Sequence, residues 1–322
     1  MKKPLKWSIG FIIILILLVG VIEVTVISTP TEAKGQITLK EDEIDYKYKN
    51  IINLDMIEFN QYKETWQRDI VYKKVNGQEL KLDLFLPQVK LTPTYPVVVY
   101  VHGGGFIRGD KDEVLDLKPL LKSWLEEGWA VISVNYRLLY GDTMFPDNYE
   151  DIKSALKWVE KNKSTYDFNP DNISLVGHSA GGSLALLAGL QTEKVDCVVS
   201  LAGPTRLYGN GEFELRRKLI SILSRKQMNQ DLLKDASPIQ HLSKTSPPIF
   251  LVHGTQDNFV PYDQSKLFYE KAKKLGVETN LVTIEGGGHI LEMSYLPRMH
   301  EFKSSIIDFM KNHLEENSRL ER

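Results

Sequence analysis

The chain has 322 residues, of which 42% are hydrophobic, 10% aromatic and 25% charged, the balance of a globular protein long enough to bury a sizeable core. A formal net charge of -2 gives no sign of a surface built to attract nucleic acid or strongly acidic substrates, so no nucleic-acid partner is expected. One cysteine, Cys197, excludes an internal disulfide, and its setting Val195-Asp196-Cys197-Val198-Val199 reads as a buried strand.

In chain order, Lys2, Lys3 and Lys6 precede a dense apolar run over residues 9–22. Glu23 interrupts it and Val24-Thr25-Val26-Ile27 continues it. Up to residue 22 the length suits a signal peptide; counted to residue 27 it approaches a transmembrane span. The small-residue stretch Thr31-Glu32-Ala33 lies well beyond the dense core, which favours an uncleaved anchor over a cleaved signal. No cysteine follows for a lipid anchor, and the basic flank argues against the alternative of a buried core helix. Residues 1–28 are therefore expected to be an N-terminal signal or transmembrane anchor. The rest of the chain is expected to be extracytoplasmic, tied to the membrane through that segment or secreted after its cleavage.

Residues 29–66 read as a spacer and an unassigned segment, with Pro30, Gly35 and the charged run Lys40-Glu41-Asp42-Glu43. The folded domain is expected over 67–322. It begins with Ile70-Val71-Tyr72-Lys73-Lys74-Val75, then Asn76-Gly77, then Leu80, Leu82, Leu84 and Leu86 in alternation. This predicts a hairpin whose second strand buries one face. Beyond it the apolar runs are continuous, at 97–101, 130–134, 173–176, 195–201, 249–252 and 280–284, as strands buried on both faces require. Helix-like stretches at 114–127, 149–161, 179–190, 262–275 and 299–314 alternate with them. The alternation predicts an α/β fold, a mostly parallel sheet with helices on both faces. Residues 204–247 are too long for a simple crossover and could form a small cap or pack on the sheet. Leu207, Tyr208, Phe213, Leu215 and Leu219 suit either a pocket wall or ordinary core.

Four strand ends carry candidate chemistry. Gly177-His178-Ser179-Ala180-Gly181 follows Ile173-Ser174-Leu175-Val176 and opens a helix. A serine on that tight turn projects its hydroxyl from the edge of the sheet as a nucleophile, beside the free N–H groups of the new helix. His178 is expected to point away from the reacting hydroxyl. Ala180 N–H is one candidate donor to an oxyanion, with others expected from His102-Gly103-Gly104-Gly105-Phe106 after the first parallel strand. A serine needs a base and an orienting carboxylate. His289, after Glu285-Gly286-Gly287-Gly288, is the candidate base among seven histidines. Asp257, in His253-Gly254-Thr255-Gln256-Asp257, is the candidate acid; Asp263 is second choice because it begins a helix.

Together with Asn135-Tyr136-Arg137-Leu138, these motifs resemble the α/β-hydrolase superfamily, in particular bacterial esterases and lipases of the hormone-sensitive-lipase and feruloyl-esterase-like groups. The resemblance extends over about 70–314. It implies an eight-stranded sheet with strand two antiparallel, oxyanion donors at Gly104, Gly105 and Ala180, and a small-molecule carboxylic ester as substrate. No metal or organic cofactor is implied, and nothing in the pattern sets an oligomeric state. His178 departs from the aspartate that hormone-sensitive-lipase members carry before the nucleophile, which moves the likeness towards the feruloyl-esterase-like branch. An amide- or peptide-cleaving enzyme with the same triad, and a non-catalytic binding protein on the same fold, are the alternatives.

Overall fold

A computed structural model describes residues 65–139, 142–208, 230–289 and 296–320, all within the unit Met56–Arg322. The expected anchor and most of the spacer, residues 1–64, lie outside the described residues, as does the middle of the insertion, 209–229. Among the described residues no helix is long and apolar enough to cross a membrane.

Eight strands form one sheet in the order β1-β2-β4-β3-β5-β6-β7-β8. They are β1 Trp66–Val75, β2 Gln78–Phe85, β3 Tyr95–Val101, β4 Ala130–Val134, β5 Phe168–His178, β6 Cys197–Leu201, β7 Ile249–Gly254 and β8 Thr279–Ile284. β2 runs antiparallel to both its neighbours, and β3 to β8 are parallel. Asn76 and Gly77 turn the β1–β2 hairpin with φ of 49° and 77°, the left-handed pair such a turn needs. The one-face expectation for β2 fails in its second half, where Asp83 and Phe85 are buried as fully as Leu82 and Leu84. β2 lies inside the sheet, between β1 and β4, so both its faces are covered. Buried Asp83 is held there by Trp66 Nε1–H and the Lys111 ammonium.

Alternation along the parallel strands divides the core into two layers. Val97, Val99 and Val101 face α2 (Asp147–Lys161) and α4 (Ala180–Leu190), with α7 (Asp263–Leu275) on the same side. Val98 and Tyr100 face α1 (Lys118–Glu126) and α8 (Leu296–Leu320). The single helix expected over 114–127 is instead a 3₁₀ turn, Lys111–Leu117, followed by α1, because Pro119 can occupy only the first turn of an α-helix. A short α3, Lys163–Tyr166, precedes β5. The described end of the insertion forms α5 (Gln230–Asp235) and α6 (Pro238–His241). Leu207, Leu233 and Ile239 are buried in the same core as α4. Tyr208 is partly buried against that core; Phe213, Leu215 and Leu219 lie outside the described residues. Cys197 is fully buried in β6, its thiol pushed up to about 12 by that burial and hydrogen-bonded to Ser174 Oγ.

Candidate active site

The C-terminal ends of β3, β5, β7 and β8 bring every candidate site residue into one neighbourhood. Ser179 sits on the turn between β5 and α4 with φ 54° and ψ -121°, a conformation that costs about 1–3 kcal/mol for a residue with a side chain. The turn closes so tightly that a Cβ at Gly177 would lie 2.3 Å from Gly181 O, and one at Gly181 would lie 2.0 Å from Val101 O. Only glycine fits either place. The elbow is tied to the neighbouring strand by Ser179 N–H donating to Leu201 O at 2.8 Å.

Loops after β7 and β8 supply the other two side chains and are stitched to each other. Thr255 N–H donates to Ile284 O and Gln256 N–H to Gly287 O, while a Cβ at Gly254 would lie 2.2 Å from Gly287 O. This contact sets His289 Nε2 2.8 Å from Ser179 Oγ and His289 Nδ1 2.7 Å from Asp257 Oδ2. Asp263, the second-choice acid, begins α7, and the carboxylate hydrogen-bonded to His289 Nδ1 is that of Asp257.

Asp257 is 7% exposed and has four donors. Its Oδ1 accepts from the N–H groups of Phe259 and Val260, at 2.7 and 2.8 Å. Its Oδ2 accepts from His289 Nδ1 and, at 3.1 Å, from His253 Nε2. Burial alone would raise the carboxyl pKa, but the hydrogen bonds from His253 and His289 outweigh it and hold the group well below the usual carboxylate range. Asp257 is therefore an anion at any pH near neutrality. His253, which the sequence did not mark as a site residue, also belongs to the site. Its ring is fully buried, accepts from Ser265 Oγ–H at Nδ1, and shares Nε2–H between Asp257 and Val260 O. The i, i+4 spacing of His253 and Asp257 was its only signal in the sequence.

The glycine loop after β3 is set by where its carbonyls go. Tyr136 O–H donates to His102 O and Gly103 O, both at 3.1 Å, and the Tyr136 ring stacks on the His102 ring at 4.3 Å. Gly104 O accepts from Ile107 and Arg108 N–H. In a trans peptide the N–H points opposite the carbonyl before it, so these bonds turn the Gly104 and Gly105 N–H groups the other way. Gly103 N–H is already taken by Glu113 Oε2 at 3.0 Å. By the same rule Ser179 O, which accepts from Ser183 N–H, leaves Ala180 N–H projecting from the start of α4. Gly104 must be glycine: its φ is 94°, and a Cβ there would lie 2.1 Å from Arg108 O.

His178 does point away from the serine hydroxyl, but not out of the site. Its Nε2–H donates to the carbonyl of His289 at 3.1 Å, and its Nδ1 lies 3.2 Å from where a Gly103 Cβ would be. It thus spans from the glycine loop to the backbone of the candidate base. Desolvation pushes its imidazole down to about 4, and burial does the same to His102. Both rings are neutral in the fold at pH 7. Below about pH 6.5 the unfolded chain takes up protons that these rings refuse, so stability is complete above that value and is lost as the pH falls towards 4. His178→Ala, keeping one depressed imidazole of the two, is expected to lose about 2 kcal/mol less between about pH 7 and pH 4.5. Urea unfolding of both proteins at the two pH values measures this; identical losses contradict it.

A family profile described as BD-FAE matches residues 82–272. The chain is 32% identical over 228 residues to a Mycobacterium tuberculosis protein named "Probable carboxylic ester hydrolase LipM", covering 64% of this chain and 52% of the relative. It is 30% identical over 257 residues to "Esterase LipQ" of the same organism, covering 73% of this chain and 59% of the relative. The matches thus span 52 and 59% of these relatives' own lengths. Among solved structures it is similar to a truncated carbohydrate esterase from gut microbiota, with a TM-score of 0.65, 21% identity, and coverage of 77% of this chain and 96% of that one. That likeness is one of fold.

Proposed function

The chain belongs to the BD-FAE family of the α/β-hydrolase superfamily, and on that premise we propose that it is a serine hydrolase cleaving small carboxylic esters through an acyl-enzyme on Ser179. The observation that carries the proposal is the unbroken relay from Ser179 Oγ to His289 to Asp257, at 2.8 and 2.7 Å, on the strand-to-helix elbow. The names of the relatives, a carboxylic ester hydrolase and an esterase, agree with it.

His289 Nε2 takes the Ser179 proton as Oγ attacks the ester carbonyl, and Asp257 stabilises the imidazolium that forms. The N–H groups of Gly104, Gly105 and Ala180 receive the negative charge on the carbonyl oxygen, each such donor contributing about 3 kcal/mol to the transition state. His289 then protonates the departing alcohol. Water, deprotonated by the same ring, releases the acid.

Hydrolysis of p-nitrophenyl acetate and butyrate beside an aminoacyl p-nitroanilide tests the reaction class. Turnover of the esters is expected, with the anilide at least about a hundredfold slower; a faster anilide contradicts the ester assignment in favour of a peptidase. The basic residues Lys2, Lys3 and Lys6 before the apolar run at 9–22 support an extracytoplasmic protein, anchored by that segment or released by its cleavage. The mass of the mature protein distinguishes the two.

A further inference from the structure

We propose that Phe259 forms the wall of the subsite for the alcohol half of the ester, and that the protein favours alcohols carrying a planar ring. The inference rests on the ester-hydrolase reading and deepens it. Four large apolar side chains stand exposed among the described residues, and Phe259, 47% exposed, is the one aromatic among them. It does not stand on a bare surface. Its ring centroid is 5.3 Å from that of His289, with the planes 29° apart.

The stereochemistry of the reaction assigns that place. The tetrahedral carbon carries Ser179 Oγ, the oxyanion, the acyl group and the alcohol oxygen. The oxyanion faces the N–H groups of Gly104, Gly105 and Ala180. In the acylating step the Oγ–C bond forms, the Oγ proton passes to His289, and the C–O bond to the alcohol breaks as that proton is handed to its oxygen. The leaving oxygen must therefore lie against His289 Nε2, and the group it carries leaves beside the ring that Phe259 flanks. An aromatic ring one or two bonds from that oxygen can pack against Phe259.

Phe259 is also presented rigidly. Its N–H and that of Val260 both donate to Asp257 Oδ1, and Val260 O accepts from His253 Nε2 at 2.8 Å. The turn is thus fixed by the same carboxylate that orients His289. A rigid aromatic anchor binds with little loss of side-chain freedom.

The test compares benzyl acetate with ethyl acetate, alcohols of similar leaving ability on one acyl group, using the full chain and its Phe259→Ala and Phe259→Trp variants. The kcat/KM value covers steps up to alcohol release and excludes the shared deacylation. Phe259→Ala is expected to lower kcat/KM for benzyl acetate about tenfold and for ethyl acetate under about twofold, with Phe259→Trp restoring the benzyl value. Equal losses on both esters overturn the inference, because Phe259 then only steadies His289. Losses that grow with acyl length across ethyl acetate, butyrate and octanoate overturn it as well. A wild type that hydrolyses no ester overturns the ester-hydrolase reading itself, and this inference with it.

Discussion

Ser179→Ala is expected to lower kcat for p-nitrophenyl butyrate by about 10⁶-fold while leaving the fold intact. The loss is large because the acyl-enzyme forms on this hydroxyl. The hydroxyl is delivered by a backbone conformation, φ 54° and ψ -121°, that the surrounding strands hold in place. Alanine meets the same backbone strain as serine, so the elbow keeps its shape. The deleted oxygen makes one hydrogen bond, to His289 Nε2, which water can replace. Unfolding by urea is therefore expected within about 1 kcal/mol of wild type. Activity near the wild-type level in this variant rejects the nucleophile.

The second large effect is expected at Asp257. Asp257→Asn should lower kcat about 10⁴-fold, whereas Asp263→Asn should change kcat under about twofold. The reason lies in the four donors around Asp257. Its Oδ1 accepts two backbone N–H groups, so an asparagine must place its oxygen there and its NH₂ at the Oδ2 position. That NH₂ then faces His289 Nδ1, which must become an acceptor, and the proton moves to Nε2. An Nε2–H tautomer cannot accept the serine proton. The same NH₂ also meets His253 Nε2–H, donor against donor, so the loop bearing Phe259 and Val260 is expected to shift. Equal loss in both variants, or none in Asp257→Asn, contradicts the assignment of the acid.

Much of this was legible in the residues. Continuous apolar runs marked the parallel strands because a strand covered on both faces has no polar side to show. The three strand-end motifs could be ordered as nucleophile, acid and base because each carried its own local signature of glycines. What stayed hidden depends on contacts distant in sequence. Alternating leucines in β2 concealed that Asp83 is also buried, since its partner Lys111 comes from a turn 28 positions later. His178 read as a bystander to the elbow, because its contact is with a backbone carbonyl 111 residues away. His253 looked like punctuation at a strand end, although it donates to the same carboxylate oxygen as His289. Phe259 carried no signal at all, because an exposed aromatic becomes informative only when its neighbour is known.

The proposed mechanism requires one covalent bond, between Ser179 Oγ and the acyl carbon. Treatment of the full chain with a fluorophosphonate, followed by mass analysis of its peptides, is expected to find one adduct, on the peptide carrying Ser179. Asp257→Asn should slow its formation, and Ser179→Ala should abolish it. An adduct on another residue, or ester hydrolysis that persists with Ser179 unmodified, contradicts the mechanism.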